Sequence, residues 1–224
     1  MRVRAIQVAA MSAIVVLICA AYVLAQSDVK PEDPAGSAKI YLEALKTSDF
    51  VKAGEGATPS AVRWSTQYLP VVFDYKILRG QAVCSDQFLY DDVREDVLRY
   101  VQAVERFDAI TDPAKMRTGS PPDLAEMTML QNESAQARGQ IVNHSKCLGA
   151  VLNESGALDL IPKWTTPSGT VTASLHNFII DVDEPGKGGA RVTTRRQLFW
   201  ARIGARDFSS GWRVLGFGPL RPNQ

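Results

Sequence analysis

The sequence predicts an α+β protein in which an apolar N-terminal membrane helix is followed by helices packed on a C-terminal antiparallel meander. Three observations carry this. Leu89, Val93, Val97, Val101, Val104 and Phe107 recur every three or four residues, as does the run from Leu124 to Val151, which is the period of a half-buried helix. From Val171 onward apolar and polar residues alternate, the period of a strand with one face buried. The strand-like runs are joined by short Gly, Pro and Asp turns, which suit antiparallel neighbours.

The N-terminus stands apart. Arg2 and Arg4 precede residues 5–25, which carry no charge and centre on Ile14-Val15-Val16-Leu17-Ile18. About 20 apolar residues span a bilayer as a helix, whereas a secretory signal usually has a shorter apolar stretch of roughly 7 to 15. Val23-Leu24-Ala25 is nevertheless an acceptable cleavage site, so residues 1–25 are read as an anchor or a signal peptide. Either way the flanking arginines stay in the cytoplasm and the rest is exported. Cys19 follows Ile18, where a lipoprotein signal wants a small residue, and is read as a thiol within the membrane.

Residues 26–36, with two prolines and mixed charge, read as a tether, and residues 37–224 as one extracytoplasmic α+β domain. Asp33-Pro34 offers an N-cap followed by proline at the first helical position. Ala38, Tyr41, Leu42 and Leu45 make an apolar stripe, so a first helix is expected from Pro34 to about Thr47, broken by Gly54, Gly56 and Pro59. Ser60 to Gly80 fits either a short helix and a strand or one bent helix, with a break at Pro70. A long helix is expected from Ser85 to Thr111. A second should open at Asp123 and end at Ser155-Gly156, interrupted at Gly139 or Gly149.

Val171, Ala173 and Leu175 lie on one parity and Phe178, Ile180 and Val182 on the other, which suggests a bulge near Asn177. Glu184–Gly189 then forms a hairpin connection, Val192–Arg206 the second strand, Asp207–Gly211 a turn and Trp212–Phe217 the third strand.

The 224 residues are 46% hydrophobic and 22% charged, an ordinary globular composition. Lys plus Arg number 25 against 24 Asp plus Glu, and two of the cations are Arg2 and Arg4, so the remainder is close to neutral. Such a body lacks the concentrated positive field that nucleic acid requires, and no nucleic-acid partner is expected. Beyond Cys19 only Cys84 and Cys147 remain, in a compartment expected to be oxidising; they are either one disulfide or two buried small hydrophobes. With two Cys and two His in the body, no structural zinc site is expected, nor any cofactor. The sequons at Asn132, Asn143 and Asn153 fall in a helical stretch and are read as coincidental.

Two stretches carry a family resemblance. Ala38-x-x-Tyr41-Leu42-x-Ala44-Leu45-x-x-x-Asp49-Phe50 resembles the opening helix of nuclear transport factor 2-like, or cystatin-like cone, domains, and Gly211-Trp212-Arg213-Val214-Leu215-Gly216 resembles their closing strand. The resemblance implies helices packed into the concave side of a curved antiparallel sheet, often around a pocket. It spans isomerases, dehydratases and cyclases as well as non-catalytic binding modules, so it selects no activity. Between the two stretches, Ser85–Ser155 holds two long helices where such domains usually have one shorter helix and early strands.

Asp86, Asp91, Asp92, Glu95 and Asp96 form the densest acidic group, and i,i+4 pairing could align two carboxylate lines for a hard cation; acids at a helix start are the simpler account. Arg191, Arg195, Arg196, Arg202 and Arg206 fall on one expected strand, with Arg191 and Arg195 on one face and the others opposite. Arg195, Arg196 and Arg202 are the candidate interaction residues, for an acidic partner or anionic headgroups; charge that protects a sheet edge is the competing account. His176 and Trp200 are the candidate pocket residues. Asp181 lies about 16 Å from His176 along the same strand, so an acid–base pair would need a carboxylate from elsewhere.

No GxSxG, SxxK, HExxH or phosphate-binding glycine motif is present. The sequence is therefore read as a non-catalytic binding or assembly module of the bacterial envelope. It would sit in the inner membrane with a single pass through residues 5–25, or be secreted or periplasmic after cleavage at Ala25, and work on another envelope protein. The alternative is a small-ligand-binding or isomerase-like pocket domain.

Overall fold

The computed structural model describes residues 33–58, 71–112, 123–154, 157–161, 169–206 and 209–219. The expected membrane segment 5–25, cleavage at Ala25, Cys19, and the tether as far as residue 32 lie outside the described residues, as do Pro59, Trp64, Pro70 and Trp164. Among the described residues no helix is long and apolar enough to cross a membrane.

The architecture is α+β, with helices on a four-stranded antiparallel sheet of order β1-β2-β3-β4. Helix α1 (Pro34–Lys46) starts where Asp33 accepts the Ala35 N–H at 2.9 Å and Pro34 supplies a preset φ. Its Tyr41, Leu42 and Leu45 are fully buried, worth about 2 kcal/mol each by area. The chain breaks at Ser48, in the left-handed region at φ 57°, and not at the expected glycines. Gly54 and Gly56 instead belong to a second helix, α2 (Phe50–Gly56), because Asp49 accepts the Lys52 N–H and caps it.

Strand β1 (Asp74–Leu89) runs through the expected start of the long helix. Ser85–Leu89 are strand because Cys84, Asp86 and Phe88 pair with Leu175, Ala173 and Val171; helix α3 (Tyr90–Ile110) begins only at Tyr90. Helix α4 (Leu124–His144) packs beside α3. The interruption falls at Ser145, not at Gly139 or Gly149, because the Ser145 hydroxyl accepts the Leu148 N–H and opens helix α5 (Lys146–Val151). Strands β2 (Thr170–Pro185), β3 (Arg191–Ala205) and β4 (Arg213–Pro219) form the expected meander.

The bulge expected near Asn177 is absent. Strands β2 and β3 pair without interruption from Val171 opposite Ala205 to Pro185 opposite Arg191. The parity changes because each end of the sheet is covered on a different face. Val171, Ala173, Leu175, Phe199, Ala201 and Ile203 meet α3 and α5 on one face, while Phe178, Ile180, Val182, Leu198 and Trp200 meet α1 on the other. The bulges lie in β1, at Leu78 and Val83, where the register with β2 shifts. Among the described residues, each helical layer therefore leaves the opposite face of its own end of the sheet uncovered.

Candidate functional site

The bare half behind α3 and α5 is built in cross-strand rows. Ser85, Ser174 and Arg202 form one row and Gln87, Thr172 and Gly204 the next, all on the face that α1 covers farther along. Ser85 and Ser174 share a hydroxyl hydrogen bond at 2.9 Å. Gly204 puts no side chain between Arg202 and Arg206, so the rows sink into an open depression of about 430 Å³ lined by Gln87, Thr170, Thr172, Ser174, Arg202 and Arg206, among others. Its surface offers hydroxyls, an amide and two guanidines.

His176 sits one row beyond Ser174, toward α1, opposite Trp200. It is half-buried, edge-on to Trp212 at 5.3 Å and beside Phe178 at 6.1 Å. Burial pushes its pKa below 6.5, and the Asp33 carboxylate acts through space in the opposite sense. Asp33 also caps α1.

Arg195, Arg196 and Arg202 are not brought together. Arg195 lies on the opposite face, where its fork grips Asp181 with contacts of 2.7 and 3.1 Å and holds that carboxyl below its usual pKa. Arg191 on that same face binds Asp183, whose pKa is lowered first by the Thr193 hydroxyl and then by Arg191. Arg196 lies on the face of Arg202, but its guanidinium is half-buried against Glu184, which also accepts the Thr194 hydroxyl. Arg202 touches the Ser209 hydroxyl at 3.3 Å, and among the described residues no carboxylate pairs with it or with Arg206.

Strand β3 pairs with β2 along its length but with β4 only from Arg196 to Ala201, so of these arginines Arg196 alone lies on a stretch paired on both sides, and the edge-protection account is set aside for Arg196 only. Trp200 is fully buried under α1, with its ring edge-on to Tyr41 at 5.8 Å. Cys84 and Cys147 are joined by a disulfide with Cα atoms 5.5 Å apart. Asp86 accepts the Ser145 hydroxyl at 2.7 Å and the Cys147 N–H at 2.9 Å, so it pins α5 rather than joining the acids of α3. Among the described residues no group of three or more His, Cys, Asp or Glu side chains is placed to hold a metal ion.

Sequence reasoning missed Gln87, Thr170, Thr172, Ser174 and Gly204 as a surface, and set Arg206 among the strand charges. The available signal was the polar parity of β2, Thr172-x-Ser174-x-His176, set against Arg202-x-Gly204-x-Arg206 on β3. Comparison of the chain with protein-family models, with curated proteins and with solved structures returns no match.

Proposed function

We propose that the chain is a membrane-tethered, extracytoplasmic binding or assembly module of the bacterial cell envelope, held by residues 5–25 as a single inner-membrane span. The observation that carries this reading is the exposed, cationic, hydroxyl-lined half-face of the sheet around Arg202 and Arg206, on a chain whose N-terminal residues 5–25 are apolar and uncharged. The Cys84–Cys147 bridge is consistent with an oxidising compartment. The nuclear transport factor 2-like relationship belongs to the same proposal. What supports it is that the two resembling stretches, in α1 and β4, contribute to one core beneath Trp200.

The test is mild-detergent purification of the full-length protein from its native membranes, wild type and Arg202→Ala in parallel. A stoichiometric envelope protein retained by the wild type and lost by the variant is the expected result. Full function of the chain without residues 1–25, or turnover of a small substrate by the exported part, overturns the reading.

A second reading, small-ligand binding, is favoured by the depression itself, whose volume falls within the range of ligand pockets. Its named lining side chains are suited to holding a ligand, with the nearest imidazole, His176, one row away.

A further inference from the structure

We propose that Arg202 and Arg206, with the hydroxyls of Thr172 and Ser174, form a phosphate-binding site over Gly204. The arginines of β3 fall into two kinds. Arg191, Arg195 and Arg196 are each neutralised by a carboxylate of β2, so their charge is consumed within the sheet. Arg202 and Arg206 are not so matched among the described residues, and both line the depression. They are four residues apart, roughly 13 Å at the rise of a strand. Two guanidine side chains can converge across that distance on one group.

Gly204 supplies the floor between them. Any larger residue there would place a side chain on the same face, between the two guanidines. Thr172 pairs with Gly204 and Ser174 with Arg202, so two hydroxyl donors stand beside the floor, with Gln87 on the next strand. A carboxylate has two oxygens to satisfy, whereas a phosphate presents three or four in a tetrahedron. The number and spread of these donors suit the latter, and a guanidinium binds phosphate through paired N–H groups.

The inference deepens the binding-module reading and rests on it for its setting. With residues 5–25 in the bilayer, Asp33 lies within about 30 Å of the membrane surface, because about eight residues at 3.3–3.6 Å span no more, and a domain held that near can meet headgroups. A phospholipid headgroup and a soluble phosphate ester then share the chemistry that the site would recognise.

The experiment is calorimetric titration of the full-length protein in neutral detergent, in phosphate-free buffer. The probes are inorganic phosphate, glycerol 1-phosphate and short-chain phosphatidylglycerol, with acetate as the carboxylate control. The expected result is binding of a phosphate-bearing probe, weakened at least about tenfold in Arg202→Ala and in Arg206→Ala, since each loses a charge-assisted pair of hydrogen bonds. Arg202→Lys, which keeps the charge but loses the fork, should fall between. Arg195→Ala, on the opposite face, should bind as the wild type does.

Binding of the lipid alone identifies a headgroup, and binding of the free anion or soluble ester identifies a soluble source; either supports the site. No binding of any phosphate probe up to about 10 mM, near the weakest end of specific recognition, overturns the proposal. So does equal affinity for acetate, or an unchanged affinity in the Arg202→Ala/Arg206→Ala double variant whose melting matches the wild type. The titration needs no partner protein, so its outcome is independent of the co-purification test.

Discussion

Asp86 accepts the backbone N–H of Cys147 at 2.9 Å, two residues along β1 from Cys84, whose sulfur is bonded to the sulfur of that same Cys147. Strand β1 thus holds the start of α5 twice, once covalently and once through a carboxylate that also binds the Ser145 hydroxyl. The bridge closes a separation of 63 residues that contains α3 and α4.

Removing the bridge should therefore cost stability without changing the fold. Chain-entropy arguments put Cys84→Ser/Cys147→Ser about 4 kcal/mol below the wild type, with denaturant melts as the measurement. Asp86→Ala should cost about 2 kcal/mol in the oxidised protein, because two donors at the helix start lose a charged acceptor. If reducing agent leaves the wild-type melt unchanged, the bridge is not what holds α5.

The two candidate arginines beside Asp181 and Glu184 should behave differently although they are neighbours in sequence. Arg195 is exposed and Asp181 only half-buried, so Arg195→Ala should change stability little, and less still at high salt. Arg196 and Glu184 are half-buried, and Arg196→Ala leaves a carboxylate with only Thr194 against it; about 1–2 kcal/mol is expected. Equal effects in urea melts of the two variants would mean that burial does not separate the pairs.

What the sequence shows well is what has one period. Helices α1, α3 and α4 follow from apolar stripes, and the β2–β3 hairpin from alternation ending at Glu184–Gly189. Strand β1 was obscured because Leu78 and Val83 each insert an extra residue, so alternation fails twice within it, and because Leu89 happens to fall in step with the stripe of α3. Asn177 shows the converse: a smooth strand imitates a bulge when the layer that buries it changes side. The depression was illegible for a related reason. It is assembled from three strands and its defining feature, Gly204 between two arginines, gains meaning only when β2 supplies the facing hydroxyls.

Acid should weaken the fold in two windows. His176 has its pKa lowered by burial, so between 6.5 and its folded value the unfolded chain binds more protons; this contribution is complete above 6.5 and is lost as the pH falls. Asp181 and Asp183 have lowered pKa values, and so has Asp74, held first by its hydrogen bond with Lys46. Their contributions are present above 3.8 and disappear as the pH drops through the folded values. Melts recorded from pH 8 to 3 should show both slopes. His176→Gln should flatten the upper one and leave the lower, and a wild type without the upper slope would place His176 in open solvent.

A single substitution, glycine to alanine, should have opposite signs at two positions. Gly80 lies between the two bulges of β1, opposite Phe178, and a Cβ there would come within 2.6 Å of the Phe178 ring. That ring is buried beneath α1 and is not free to swing away, so Gly80→Ala should lose about 1–3 kcal/mol through overpacking. Gly139 lies inside α4 on its exposed side, with nothing within 4 Å of the added carbon. Alanine there removes backbone freedom from the unfolded chain and suits the helix, for a gain of roughly 0.5–1 kcal/mol. Denaturant melts of the two variants give the comparison. A stabilised Gly80→Ala protein would mean that β1 does not cross Phe178 as described, and with it the register that places Ser85 and Gln87 beside the depression would have to move.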